Sequence, residues 1–206
     1  MKKMLSCILL LCLLLTGCAR KEVPESVTIK PLKSEATADT FKNSVTHIAF
    51  HSGDAYADYT GYNWLCVTAY EQELYDADEI RDLKVGDILT VQGSGIAVKD
   101  VYFSESGRVK VNGGSRDGGI TLYPGDNETF YQSDDSGTLF YQELATVTVP
   151  VSDSFVFYDL YLAGGTVQFF DNLLGDSAKD LDFAPNDTLL TISNGEAVSL
   201  IHGNQS

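Results

Sequence analysis

The sequence predicts an all-β fold, a single antiparallel sandwich or barrel, and three observations carry the prediction. From about Val45 onward, short runs rich in Val, Ile, Thr, Tyr and Phe alternate with Gly, Asn, Asp and Ser clusters. They recur roughly every 8 to 12 residues, the spacing of sandwiches and barrels. Asn194-Gly195 stands between two apolar runs and supplies the two positive-φ positions of a type I′ turn, so the chain should end in an antiparallel hairpin. The alternating helices of a two-lobed α/β solute receptor are missing.

Taken in order, strands are expected near residues 45–51, 63–70, 87–92, 95–103, 108–112, 120–123, 138–149, 155–158, 166–170, 188–192 and 197–202. Gln92-Gly93-Ser94-Gly95 and Ser104-Glu105-Ser106-Gly107 read as turns, and Lys84-Val85-Gly86-Asp87 as a tight turn entering a strand. The acidic stretch Glu71 to Asp82 is expected to form a short helix, with Leu74, Ala77 and Ile80 on one side at three-residue spacing. Pro150 reads as a break between two strands. Residues 45–206 are of one-domain size.

The front of the chain is organised differently. Lys2 and Lys3 precede an apolar run from Met4 to Leu15 that ends in small residues, the layout of a secretory signal. As a helix, twelve residues reach only about 18 Å, short of a hydrocarbon core of roughly 30 Å. Leu15-Thr16-Gly17-Cys18 resembles the lipobox of bacterial lipoprotein precursors. The resemblance implies removal of residues 1–17, diacylglyceryl modification of the Cys18 thiol and an extracytoplasmic, membrane-anchored protein. Two acyl chains are what stable anchoring requires. Ala19 after the cysteine would permit outer-membrane sorting in a two-membrane cell. Residues 18–44, charged and small with Pro24 and Pro31, read as a flexible tether.

Charge excludes one class of partner. Two of the 14 basic residues, Lys2 and Lys3, belong to the leader and none of the 29 acidic ones does, so the net charge of −15 becomes −17 without it. Such a surface repels phosphate backbones, and no nucleic-acid partner is expected. Cys7 and Cys12 leave with the leader and Cys18 is lipidated, so Cys66 has no partner for a disulfide and reads as a buried, inert thiol in Trp64-Leu65-Cys66-Val67.

No catalytic motif emerges. Asn112 to Gly119 is glycine-rich but lacks the Lys-Ser/Thr and following helix of a phosphate loop, and reads as a long β-connection. His47 and His51 have zincin-like spacing only in a helix; in a strand they stand about 13 Å apart, too far to share a metal. There is no Gly-x-Ser-x-Gly elbow. No cofactor is expected. The acidic clusters Asp126-Asn127-Glu128, Asp134-Asp135 and Asp171 to Asp187 offer oxygen ligands for a structural calcium, but none has EF-hand spacing, and solvated loops account for them better.

The segment from Gly53 to Trp64 gathers Tyr56, Tyr59, Tyr62 and Trp64 with two carboxylates. Aromatic rings stack on pyranose faces while carboxylates and amides accept hydroxyl hydrogen bonds, so the mixture suits a glycan; the same rings could instead fill the edge of a β-core. On an extended chain Tyr56, Tyr62 and Trp64 fall on one side and Tyr59 on the other, unless glycines 53 and 61 make a loop. The expectation is a surface lipoprotein whose β-domain binds a glycan or an envelope protein without catalysis. The alternative is an anchored hydrolase acting on cell-wall or dietary glycans.

Overall fold

The computed structural model describes residues 25–37, 39–51, 53–134, 136–162, 166–174 and 179–203. The leader, Cys18, Asp135 and Asp176 lie outside the described residues. The fold is essentially all-β, as the spacing predicts. Its strands are β1 (Thr28–Ile29), β2 (Ser44–Ala49), β3 (Ala55–Ala57), β4 (Asn63–Gln72), β5 (Leu74–Asp76), β6 (Ile88–Val91), β7 (Ser94–Ala97) and β8 (Val101–Phe103). They continue as β9 (Val109–Val111), β10 (Ile120–Pro124), β11 (Thr129–Gln132), β12 (Tyr141–Asp159), β13 (Thr166–Gln168), β14 (Thr188–Ser193) and β15 (Glu196–His202). Helix α1 spans Ala77–Arg81.

Five of these strands close on themselves. β4 pairs antiparallel with β2, β2 with β14 and β14 with β15. β12 completes the ring by changing partner along its length: Tyr141 to Pro150 run antiparallel to β4, and Val151 to Asp159 run parallel to β15. The residue read as a break is therefore the switch point of one 19-residue strand. Proline suits the position because it has no N–H to give to a ladder. The register slips between Glu143 and Ala145 and again between Val151 and Val156, which bends β12 around the barrel. The parallel seam departs from the all-antiparallel expectation.

Alternation fills the barrel. Ile48, Leu65, Val67, Phe157, Leu190 and Leu200 are fully buried, with Phe155 and Phe170 meeting edge to face at 5.8 Å. Each such side chain contributes roughly 1.5–3 kcal/mol by leaving water. The hairpin expected at Asn194-Gly195 joins β14 and β15, with φ of 53° and 84° at its two central residues.

Between β4 and β12 the chain makes an excursion, Leu74 to Phe140, with its own core of Tyr75, Ile80, Leu89, Val111 and Leu122. Two small sheets enclose it, ordered β5-β11-β10-β9-β8 and β1-β6-β7. The helix expected over Glu71 to Asp82 is confined to its last part, because Glu71 and Gln72 extend β4 and Leu74 to Asp76 pair with β11. Asp76 ends the strand and starts the helix, its Oδ1 accepting the N–H groups of Asp78 and Glu79.

The tether assignment needs correction at its C-terminal end. Thr28 and Ile29 pair in parallel with Ile88 and Leu89, and Ile29 is buried. Val27 N–H donates to Asp87 Oδ1 at 3.0 Å, and Leu32 N–H to the Leu74 carbonyl at 2.7 Å. Burial would raise the Asp87 pKa, but the N–H groups of Val27 and Lys84 and the Lys84 charge hold it below the usual carboxylate range. Residues from about Val27 to Ser34 are thus strapped to the inserted module. Residues 18–24 lie outside the described residues.

Candidate functional site: an aromatic loop and the outer face of β4

The residues singled out in the aromatic segment fall on a turn and the two strands it joins. β3 pairs with β4 so that Tyr56 lies directly opposite Trp64. Their neighbours Ala55 and Leu65 are buried, so Tyr56 and Trp64 both face outward. The connection from Asp58 to Tyr62 is a closed loop, as the glycine at 61 allows: Gly61 has φ of 88°. Tyr59 is fully exposed at its tip and Tyr62 is 69% exposed. Tyr59 thus stands on a loop tip rather than the far side of a strand.

Asp58 organises this loop. Its Oδ1 accepts the Thr60 N–H at 2.8 Å, the Thr60 hydroxyl at 2.5 Å and the Tyr62 N–H at 3.1 Å, while Oδ2 accepts the Trp64 indole N–H at 3.0 Å. The Thr60 hydroxyl and then the Trp64 indole hold its pKa down at about 2. One carboxylate therefore fixes both the loop and the plane of the tryptophan, leaving Tyr59 and Tyr62 displayed.

The patch continues down β4. Leu65, Val67 and Ala69 point into the core, so Trp64, Cys66, Thr68 and Tyr70 face out. Opposite them on β12 stand Pro150, Thr148, Thr146 and Glu143. Cys66 is consequently half-buried on the outer surface, a correction to its reading as a core thiol: Leu65 and Val67 take the inward positions.

At the far end of that face, β2 brings His47 opposite Tyr70, and Tyr141 packs against His47 with ring centroids 4.5 Å apart and planes tilted by 40°. The Pro185 carbonyl, an acceptor only, lies 2.6 Å from His47 Nδ1, so Nδ1 carries the proton and Nε2 faces the Tyr141 hydroxyl at 3.4 Å. Burial lowers the His47 pKa, and the Pro185 hydrogen bond opposes it. The pair lines a cleft of about 880 Å³ with Tyr161, Asn186 and Asp187. His47 drew attention in the sequence only through its spacing to His51. Its contacts come from residues 94 and 138 positions away, which no local pattern could reveal.

The acidic clusters sit in turns. Asn127 and Glu128 have positive φ in the β10–β11 connection, and Asp134 Oδ1 accepts from Ser136 and Thr138. Among the described residues no group of three or more His, Cys, Asp or Glu side chains gathers as a metal site would require.

The ring order β2-β4-β12-β15-β14 closes a five-stranded barrel with one parallel seam, β12 to β15. Compared with protein-family models, curated proteins and solved structures, the chain matches none.

Proposed function

We propose that this chain is a bacterial surface lipoprotein, anchored through Cys18, whose barrel binds a glycan without catalysing a reaction on it. The carrying observation is the outward cross-strand pair Tyr56–Trp64, joined by a loop that one carboxylate holds in shape and that displays Tyr59 and Tyr62. In OB-type barrels the loop between the first two strands and the face of the second and third are where oligonucleotides or oligosaccharides bind. Here those elements are residues 50–62, β4 and the first half of β12. That likeness of fold supports the binding reading. The acidic surface disfavours the nucleotide and does no harm to a neutral sugar.

A hydrolase of the same anchoring would need two carboxylates with separated pKa values in one cleft. The cleft beside His202 does gather Asp159, Asp180, Asp182 and Asp187, but Asp180 and Asp182 are exposed, Asp159 Oδ1 already accepts the Tyr161 N–H at 3.1 Å, and Asp187 accepts the Tyr161 hydroxyl at 2.8 Å and the Thr188 hydroxyl at 2.9 Å. The binding reading therefore leads.

The test has two arms. Replacing Cys18 with Ala should abolish lipid labelling of the expressed protein, and undiminished labelling would remove the anchor. A glycan array probed with the full chain should return a ligand whose affinity falls about tenfold in Trp64→Ala and Tyr59→Ala, with the melting temperature little changed for Tyr59→Ala. No ligand, or a ligand indifferent to both variants, would overturn the assignment.

A further inference from the structure

Of the ten Lys and Arg side chains between Glu25 and Gly203, three converge on one cleft of the inserted module, about 740 Å³ in volume: Arg108, Lys110 and Arg116. None of these three forms an ion pair among the described residues.

Local structure explains how they come together. Lys110 on β9 lies opposite Thr121 on β10, and Tyr123 opposite Tyr131 on β11, so one outward face of the sheet carries all four. The Tyr123 and Tyr131 rings stack with centroids 5.6 Å apart, and the Arg108 guanidinium sits 5.0 Å above the Tyr123 ring. Stacking fixes the guanidinium plane and leaves its N–H fork available at the edge.

The loop from Asn112 to Gly119 closes the other side. Ser115 donates to Thr121 Oγ1 from both its N–H, at 3.1 Å, and its hydroxyl, at 2.8 Å, seating a 3-10 turn that carries Arg116. A Cβ at Gly114 would come within 3.2 Å of the Lys110 chain, so glycine there lets the lysine stem lie along the loop. Two carboxylates share the cleft. Asp134 Oδ1 is spent on the turn it caps, and Asp117 lies within the 3-10 turn.

We propose that this cleft binds the anionic group, carboxylate or phosphate, of an acidic envelope glycan. Arg108 offers a bidentate fork and Lys110 and Arg116 add charge, while the Ser115 hydroxyl and the tyrosine edges suit a hydroxylated polymer. A recessed cation cluster fits a chain that can enter it better than a flat bilayer. The site lies on a different sheet from the aromatic patch and does not depend on it: Arg108 and Lys110 variants test one, Trp64 and Tyr59 variants the other.

The experiment titrates the full-length protein in neutral detergent with an oligogalacturonate, its methyl-esterified counterpart, a glycerol-phosphate oligomer and phosphatidylglycerol vesicles. The expected result is binding of the uronate or the phosphate oligomer, whichever is the better match, with no binding of the ester. Affinity should weaken as salt rises and fall at least about tenfold in the Arg108→Gln/Lys110→Gln double variant, with an unchanged melting curve. Rescue by Lys at position 108 should be partial, because lysine lacks the fork. Equal binding of the ester, binding of vesicles alone, no binding at all, or full affinity in the double variant would each overturn the proposal.

Discussion

In the barrel each of five strands has a neighbour on both sides, whereas the module inserted between β4 and β12 leaves β1, β5, β7 and β8 as sheet edges, each two to four residues long. Short edges limit what another chain could pair with. The cores differ too. The barrel's is aliphatic and phenylalanine side chains, with the buried Asp159 and His202 facing each other at 3.6 Å on β12 and β15. The module's margin holds the buried carboxyl of Glu73, 1% exposed, which accepts the Gln92 N–H at 2.8 Å and faces the Tyr75 hydroxyl at 3.2 Å. Burial raises the Glu73 pKa, with the Gln92 and Tyr75 hydrogen bonds opposing, and raises that of Tyr75. Closure makes the barrel the unit expected to open last; the module, with shorter ladders and open sheet edges, should open first.

The strongest way to break this contrast is to cut into each core. Phe157→Ala should cost about 3–5 kcal/mol and Leu122→Ala about 2–5 kcal/mol, measured by urea unfolding. Hydrogen exchange then separates them: in Leu122→Ala the amides of β9 and β10 should lose protection while those of β14 and β15 keep theirs. Equal loss throughout would make the two regions one cooperative unit.

Glycines give a smaller, sharper pair. A Cβ at Gly119 would collide with the Val111 and Asn112 carbonyl oxygens, so Gly119→Ala should destabilise the module by about 3 kcal/mol, the upper end of overpacking. At Gly195 nothing crowds the site and only φ matters, so Gly195→Val should cost the barrel hairpin about 1–2 kcal/mol.

Acidity should act oppositely on the two regions. The folded pKa of Glu73 lies above its unfolded value near 4.5, so its contribution is complete below that value and is lost as pH rises through the folded pKa. His47 has a folded pKa below 6.5, so its contribution is present above 6.5 and is lost as pH falls toward the folded value. Glu73→Gln and His47→Gln should each remove one slope from the pH dependence of the urea midpoint. A retained slope would assign it elsewhere.

Much of this architecture is legible in the sequence, and the exceptions have physical causes. Asn194-Gly195 announces its turn because positive φ restricts residue type. β3, β5 and β11 are not legible, because strands of three or four residues hold too few alternations to register. Pro150 reads as a break between strands, and only the partner change of β12 shows why a residue without an N–H belongs inside a strand there. The leading segment reads as tether because Ile29 is one apolar residue among charged ones, and its burial depends on β6, some sixty residues away. Within the candidate sites, the aromatic loop is contiguous and visible. The cation cleft draws on β9, β10, β11 and the loops beside them, and only folding assembles it.

Trp64 is the only tryptophan in the chain, which makes its fluorescence a direct report on the proposed glycan site. Titrating a glycan identified on the array into the full-length protein should give a saturable change in Trp64 emission. Asp58→Ala should weaken that response without lowering the melting temperature appreciably, because it frees the indole and the loop but leaves the barrel core intact. A glycan that binds while Trp64 emission stays constant, or that binds Asp58→Ala and the parent alike, would contradict the placement of the ligand on this face.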